Sequence, residues 1–187
     1  DEDREHWAFQ SPIARPDVAS IDTFILEKLQ ENGLDFSPEA NRDTLIRRTY
    51  LDLIGIPPTL SDWKAWHAND DPNWHSQLVD DLLASPRYGE RWSRYWLDLA
   101  GYADSEGKRS ADPIRPHAWR YRDYVIRAFN ADKPYDRFLL EQIAGDELAD
   151  YEHAAEVTPQ MYDNLVATAF LRMAPDGTGS DIVDTAV

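Results

Sequence analysis

The 187 residues contain no cysteine. This excludes disulfides, thiolate zinc sites, iron–sulfur ligation, a cysteine nucleophile and covalent c-type haem attachment within the chain itself. Basic residues are scarce: 19 Lys and Arg stand against 35 Asp and Glu, for a formal net charge of −16. That sign is wrong for a general nucleic-acid binder, whose footprint is basic, and wrong for docking on an anionic membrane surface. No apolar run reaches the roughly 18 residues a membrane span needs. Period-two alternation, the mark of half-buried strands, is scarce, and no repeat of fixed period is present.

What remains is a folded, aromatic-rich chain. Hydrophobic residues make up 42% and include 7 Trp, 9 Tyr and 6 Phe, too many for a disordered segment. The length suits a single domain spanning 1–187 that buries roughly 70% of its unfolded surface without a covalent staple. Apolar residues recur at three-to-four spacing, and helix punctuation is frequent. The spacing predicts helices over 20–32 (Ile21, Phe24, Ile25, Leu29; stopped at Gly33) and 41–54 (Leu45, Ile46, Tyr50, Leu53, Ile54; ended by Gly55 and Pro57-Pro58). Thr59 caps a short helix holding Trp63 and Trp66, and Asn73 caps 74–84 with Leu78, Leu82 and Leu83 inward. Ser85-Pro86 opens 86–100, with Tyr88, Trp92, Trp96 and Leu99 on one stripe. Pro116 opens 117–130 (Trp119, Val125, Ile126, Phe129), and Pro134 opens 134–144 (Phe138, Leu139, Ile143; stopped by Gly145). Thr158-Pro159 opens 159–173 (Met161, Leu165, Ala169, Phe170, Met173), and Ser180 caps one more helix. The expected fold is therefore all-α, an irregular multi-helix domain of seven or eight helices. Its long loop, 101–115, is of a length that in a compact domain is usually functional or disordered. With the last helix barely begun at Val187, the chain is also expected to be truncated at its C-terminal end.

The charge is uneven. Residues 1–85 hold 7 basic and 17 acidic groups, residues 86–127 hold 9 and 6, and residues 128–187 hold 3 and 12. The middle third is thus a basic island of net +3 between segments of −10 and −9, and it contains the long loop. Arginines interleave with aromatics there: Arg87, Tyr88, Arg91, Trp92, Arg94, Tyr95, Trp96, then Trp119, Arg120, Tyr121, Arg122 and Tyr124. One reading is structural: the guanidinium groups pack on rings and neutralise acidic neighbours, Glu90 and Arg94 forming an i,i+4 pair. The sharper reading is a binding site for an anionic partner around the loop. It would be built from Tyr102, Asp104, Glu106, Arg115, His117, Trp119, Arg120 and Arg122, and it requires several arginines to lack carboxylate partners.

Other constellations are weaker. Asp98, Asp104, Glu106 and Asp112 are oxygen donors of the kind calcium takes, but their spacing fits no EF-hand, and Lys108 and Arg109 oppose a cation. The segment Asp176-Gly-Thr-Gly-Ser-Asp181 has too few ligands for a calcium loop. Asp104 with Glu106, or Asp146 with Glu147, are conceivable glycosidase pairs, yet 35 acidic residues generate such pairs by chance. Ser105 lacks a nucleophile-elbow context. His67 and His117 lie nearest the aromatic clusters, but nothing supplies the acceptor that orients a metal-bound imidazole. Trp63, Trp66 and Trp74 are either core or a sugar-stacking platform, and an exposed patch would favour the second. No catalytic residue and no metal site are assigned.

The runs SPRYGERWSRYWLDLAGYADS (85–105) and PHAWRYRDYVIRAFNADKPYDRFLLEQIAGDEL (116–148) carry a family resemblance, with RRTYLDLIGIPPT (47–59) and HWAF (6–9) in support. The chain resembles the planctomycete secreted-cytochrome-associated domain, a domain of unknown function, along nearly its whole length. The resemblance implies a secreted or periplasmic multidomain protein, often with a cytochrome c domain ahead of this one. It also implies a Cys-x-x-Cys-His haem motif shortly after the segment matching 178–187. No signal peptide is read in this sequence, so secretion rests on the resemblance alone. The implied function is a non-catalytic helical module of a c-type-cytochrome-like protein, supporting electron transfer or assembly with a downstream haem segment. No cofactor is expected in residues 1–187, and c-type haem belongs to the full-length protein. Expected partners are neighbouring domains of the same polypeptide, with no nucleic acid and no membrane span. The alternative is an extracytoplasmic module binding or degrading polysaccharide, anionic polysaccharide above all, through the basic aromatic region 86–127.

Overall fold

The computed structural model describes residues 6–16, 20–106 and 112–173. Across these residues the fold is all-α, as read from the periodicity. They form eight α-helices, three 3-10 turns and one isolated antiparallel bridge, between Ser105 and Ile114. The helices are α1 (Ile21–Glu31), α2 (Arg42–Leu53), α3 (Leu60–His67), α4 (Trp74–Leu83), α5 (Pro86–Leu99), α6 (Ala118–Asn130), α7 (Tyr135–Ala149) and α8 (Pro159–Ala167). The 3-10 turns are Trp7–Phe9, Tyr151–His153 and Thr168–Arg172. Backbone contacts divide the chain into two compact units, 1–40 and 41–187. In the first unit, α1 carries an Arg15–Glu27 ion pair of 3.0 Å and leaves Ile21, Phe24 and Ile25 exposed. No helix among the described residues is long and apolar enough to cross a membrane.

Helix starts follow local chemistry. Asn41 Oδ1 accepts from the Thr44 N–H at 2.9 Å, Thr59 and Asp62 form a reciprocal capping box, and Ser85 and Thr158 cap helices whose first residue is proline. Each side-chain oxygen satisfies an N–H that would otherwise have no intrahelical partner. Asn73 does not act this way: its side chain makes no cap bond. Asp71 instead braces the turn leading into this helix, accepting from the Asn73 N–H at 2.7 Å and from the Gln77 side-chain amide at 2.9 Å.

The second unit holds two apolar clusters. In one, Ile46, Tyr50, Ile54, Leu78 and Leu82 are buried, with Trp63, Trp66 and Trp74 half-buried against them. The three tryptophans are therefore core, not a sugar platform. In the other, Tyr121, Tyr124, Val125, Ala128, Phe138, Ala167 and Met173 are buried beneath Trp96 and Phe170.

Several inward assignments change. Leu99 is 81% exposed, Ile143 61% and Leu83 42%. On α7 the buried face is Phe138, Glu141, Gln142, Gly145 and Ala149, spaced i, i+3, i+4, i+7 and i+11, so Ile143 falls on the opposite side. Gly145 does not stop this helix, which continues to Ala149 after a local backbone departure at Ala144 (φ −136°, ψ 29°). Gly145 is instead a contact point. A Cβ there would collide with the Asn164 carbonyl of α8, so only glycine lets the two helices approach this closely. The helix expected over 159–173 ends at Ala167 and tightens into the 168–172 3-10 turn. The long connection 101–115 is partly ordered: the Glu106 N–H donates to Pro113 O at 3.0 Å, and the Arg115 N–H to Asp104 O at 2.8 Å. Lys108, Arg109, the 176–181 segment and the helix expected from Ser180 lie outside the described residues.

Candidate functional site

The eight residues of the anticipated binding set separate into three small groups. In the first, the Tyr102 hydroxyl donates to Asp104 Oδ1 at 2.7 Å. Burial, reinforced by that bond to a carboxylate, pushes the phenol pKa up to about 12. Arg122 belongs to the same electrostatic neighbourhood and is bound through Nε and a terminal nitrogen to Asp123, at 3.1 and 2.9 Å. That bond raises the guanidinium pKa further, so the cation is permanent but already engaged.

In the second group, Glu106, Arg115 and His117 line a cavity of about 490 Å³ together with Ile114, Ala169 and Met173. Arg115 donates to the Met173 carbonyl at 3.0 Å across 58 residues of sequence. It thereby joins the end of the 101–115 connection to the end of the 168–172 turn. His117 stands at the N-cap position of α6 but makes no side-chain cap bond.

The third group is at the surface of α6. Trp119 is 45% exposed, and the Arg120 guanidinium stands 5.6 Å from its ring centroid. The structure thus brings Tyr102, Asp104 and Arg122 together, and Glu106, Arg115 and His117 together. Trp119 and Arg120 form a separate surface pair.

The remaining histidines have local roles. His67 bonds Asp43 at 2.9 Å and stacks on Trp63 at 4.8 Å, and His75 bonds Thr49 at 3.1 Å. Among the described residues, no group of three His, Cys, Asp or Glu side chains could hold a metal ion. Arg94 turns toward Asp98, at 4.0 Å, instead of pairing with Glu90.

Sequence reading missed the most tightly bonded polar site, which lies inside the second cluster. Glu141 is 1% exposed and accepts four hydrogen bonds. Oε2 receives Tyr124 Oη at 2.9 Å and Lys133 Nζ, while Oε1 receives Arg137 Nε at 2.8 Å and Gln160 Nε2 at 3.2 Å. Burial alone would raise its pKa. The bonds from Lys133, Arg137 and Tyr124 outweigh burial and hold the carboxyl below its ordinary value. The next residue, Gln142, is fully buried. Its Oε1 accepts from Tyr121 Oη at 2.6 Å and Trp96 Nε1 at 2.9 Å, and its Nε2 donates to Phe138 O at 3.0 Å. Burial pushes the Tyr121 phenol up to about 12, and burial plus the bond to Glu141 raises Tyr124. Beside this network, Tyr88, Trp96, Phe129, Lys133, Tyr135 and Phe138 line a cavity of about 190 Å³.

The only sequence signal for this site is the position of Glu141 and Gln142, three and four residues after Phe138. That spacing places them on the same helical face as an inward phenylalanine.

Residues 20–186 match the family model described as PSCyt2, protein of unknown function (DUF1549). No curated protein and no solved structure matches the chain.

Proposed function

The chain belongs to the PSCyt2 family of proteins of unknown function (DUF1549), whose model covers most of its length. From that premise we propose that it is a non-catalytic helical module of a larger secreted protein resembling c-type cytochromes. In this role it supports electron transfer by, or assembly with, a haem segment elsewhere in the polypeptide.

The observation that carries the non-catalytic reading is the state of Glu141. It is the one buried carboxylate among the described residues, and both its oxygens are saturated by donors from α6, α7, α8 and the Lys133 turn. A general acid or base needs a free lone pair or proton within reach of substrate and a pKa moved toward neutrality. Glu141 has neither, and its pKa moves the other way. It serves as a fastener. Of the aromatics in 88–96 and 119–124, Tyr121 and Tyr124 are wholly enclosed, while Tyr95 and Trp119 are 48% and 45% exposed. Tyr95 and Trp119 are therefore the rings available to shield a haem segment from water, and solvent access is one lever on haem potential.

An oxidised-minus-reduced visible spectrum of the natural-length protein, made in a host that matures c-type cytochromes, tests this reading. A Soret shift with sharp reduced bands supports it, and a featureless spectrum removes it. The exposed Trp119–Arg120 pair favours a second reading, binding of an anionic polysaccharide, because an aromatic face with an adjoining cation suits a sulfated sugar ring. Salt-sensitive binding of a sulfated glycan, lost on Arg120→Ala or Arg115→Ala, would establish it. Binding indifferent to both substitutions would end it.

A further inference from the structure

We propose that the cavity between the turn after α2 and the exposed face of α5 is an oxyanion site, taking a phosphate or sulfate group through Arg87, Arg91 and Arg94. It goes beyond both readings above: of the haem-shielding rings only Tyr95 borders this wall, and the α6 surface pair takes no part in it. The cavity measures about 440 Å³ and is lined by Ile54, Gly55, Ile56, the three arginines and Glu90. Arg87, Arg91 and Arg94 follow at i, i+4 and i+7, which aligns them along one helical stripe. Glu90 is the one carboxylate in this lining, so the wall keeps a formal charge of +2.

These cations have not been neutralised internally, although the chain carries 35 acidic residues. Among the described residues Arg87 and Arg91 meet no carboxylate, and Arg94 reaches Asp98 only at 4.0 Å with both side chains 72% exposed. The Arg91 Nε is buried and has no hydrogen-bond partner. That N–H is covered by the Gly55 turn, so the guanidinium meets an oxyanion in the cavity through its terminal nitrogens. The Leu53 carbonyl at the end of α2 receives Trp92 Nε1 at 3.1 Å and is not a partner of Arg91 Nε.

Arg91 is also held in place. Gly55 sits at φ +74°, and a Cβ there would come within 2.7 Å of Arg91 Cδ, so the glycine lets the turn lie directly against the arginine stem. The Tyr95 ring stands 5.6 Å from the guanidinium. A planar fork positioned in advance loses little freedom on pairing with a tetrahedral oxyanion, which it matches through two parallel N–H bonds. The cavity has room beyond one such group, so it admits either the free anion or an ester of a small carrier.

The test titrates the full 187-residue chain at constant ionic strength with inorganic phosphate, inorganic sulfate, a hexose 6-phosphate and a hexose 6-sulfate. The readout is the Arg91 Nε–H resonance by NMR. The site predicts a saturable shift, and the Arg87→Gln/Arg94→Gln double variant weakens binding by at least about tenfold, as loss of charge-assisted bonds requires. Both replaced residues are exposed, so the fold is retained. Arg127→Gln, which removes a cation paired with Asp163 elsewhere, leaves binding unchanged. Equal affinity for free anion and ester identifies the free anion as the ligand, and tighter ester binding identifies the ester. The proposal is overturned if no oxyanion saturates the resonance, if the double variant binds like the parent, or if only a polyglutamate peptide saturates it.

Discussion

Tyr124 donates its hydroxyl proton to Glu141 Oε2 at 2.9 Å, and both side chains are sealed from solvent. The bond joins α6 to α7, and the same carboxylate also takes donors from the intervening turn and from α8. A single acidic side chain therefore fastens three helices that the apolar cluster only presses together. The cost of burying it is offset by four donors, and removal of either side of that balance leaves a group unmatched.

Glu141→Ala should therefore destabilise the chain by about 3–5 kcal/mol, because Lys133 is left beside a buried void without its counter-charge. Tyr124→Phe, which removes one neutral donor, should cost about 1–2 kcal/mol. Urea denaturation followed by tryptophan fluorescence measures both. Equal, small effects would show that the network is not holding the helices.

The depressed pKa of Glu141 sets an acid limit to stability. A carboxyl whose folded pKa lies below its unfolded value of 4.5 contributes stability above that value and loses it as pH falls through the folded pKa. Chemical denaturation between pH 7 and pH 2 should show stability falling below about pH 4.5, and Glu141→Gln should flatten that part of the profile.

The alkaline limit has the opposite sign. Tyr121 is raised from 10.0 to about 12 by burial, so its contribution is intact below pH 10 and declines as pH rises toward 12. The slope approaches about 1.4 kcal/mol per pH unit for each such group. Spectrophotometric titration of the 9 tyrosines should show the phenols of Tyr121 and Tyr124 ionising only with unfolding.

Gly145→Ala separates two roles for one residue. In a free helix the change would help by about 1 kcal/mol. Here the new methyl meets the Asn164 carbonyl, and overpacking of that kind costs about 1–3 kcal/mol. A net loss in thermal stability is expected, and a net gain would mean that α7 and α8 part easily.

Helix starts were legible because their causes are local. Thr59, Ser85-Pro86 and Thr158-Pro159 each carry the cap read from the sequence at the start of the helix they open, whereas Asn73, read the same way, makes no side-chain cap bond. Tyr102 and Asp104 were also legible as neighbours, being two residues apart. Glu141 was not, since a glutamate in a helix ordinarily faces water. Its donors Lys133, Tyr124 and Gln160 lie 8, 17 and 19 residues away, and only tertiary packing collects them. Gly145 was misread for a related reason. A helix stop and a close helix crossing both select glycine, and the chain alone does not say which neighbour arrives. Arg115 had no visible partner because the Met173 carbonyl is 58 residues distant.

The functional account is tested most directly by a redox titration of the natural-length protein, matured as a c-type cytochrome, beside its Trp119→Ala and Tyr95→Ala variants. The account predicts sharp reduced bands and a lower midpoint potential in the variants, because added water stabilises the more highly charged ferric haem. A protein without a haem spectrum, or one whose potential is the same with and without these rings, would contradict it.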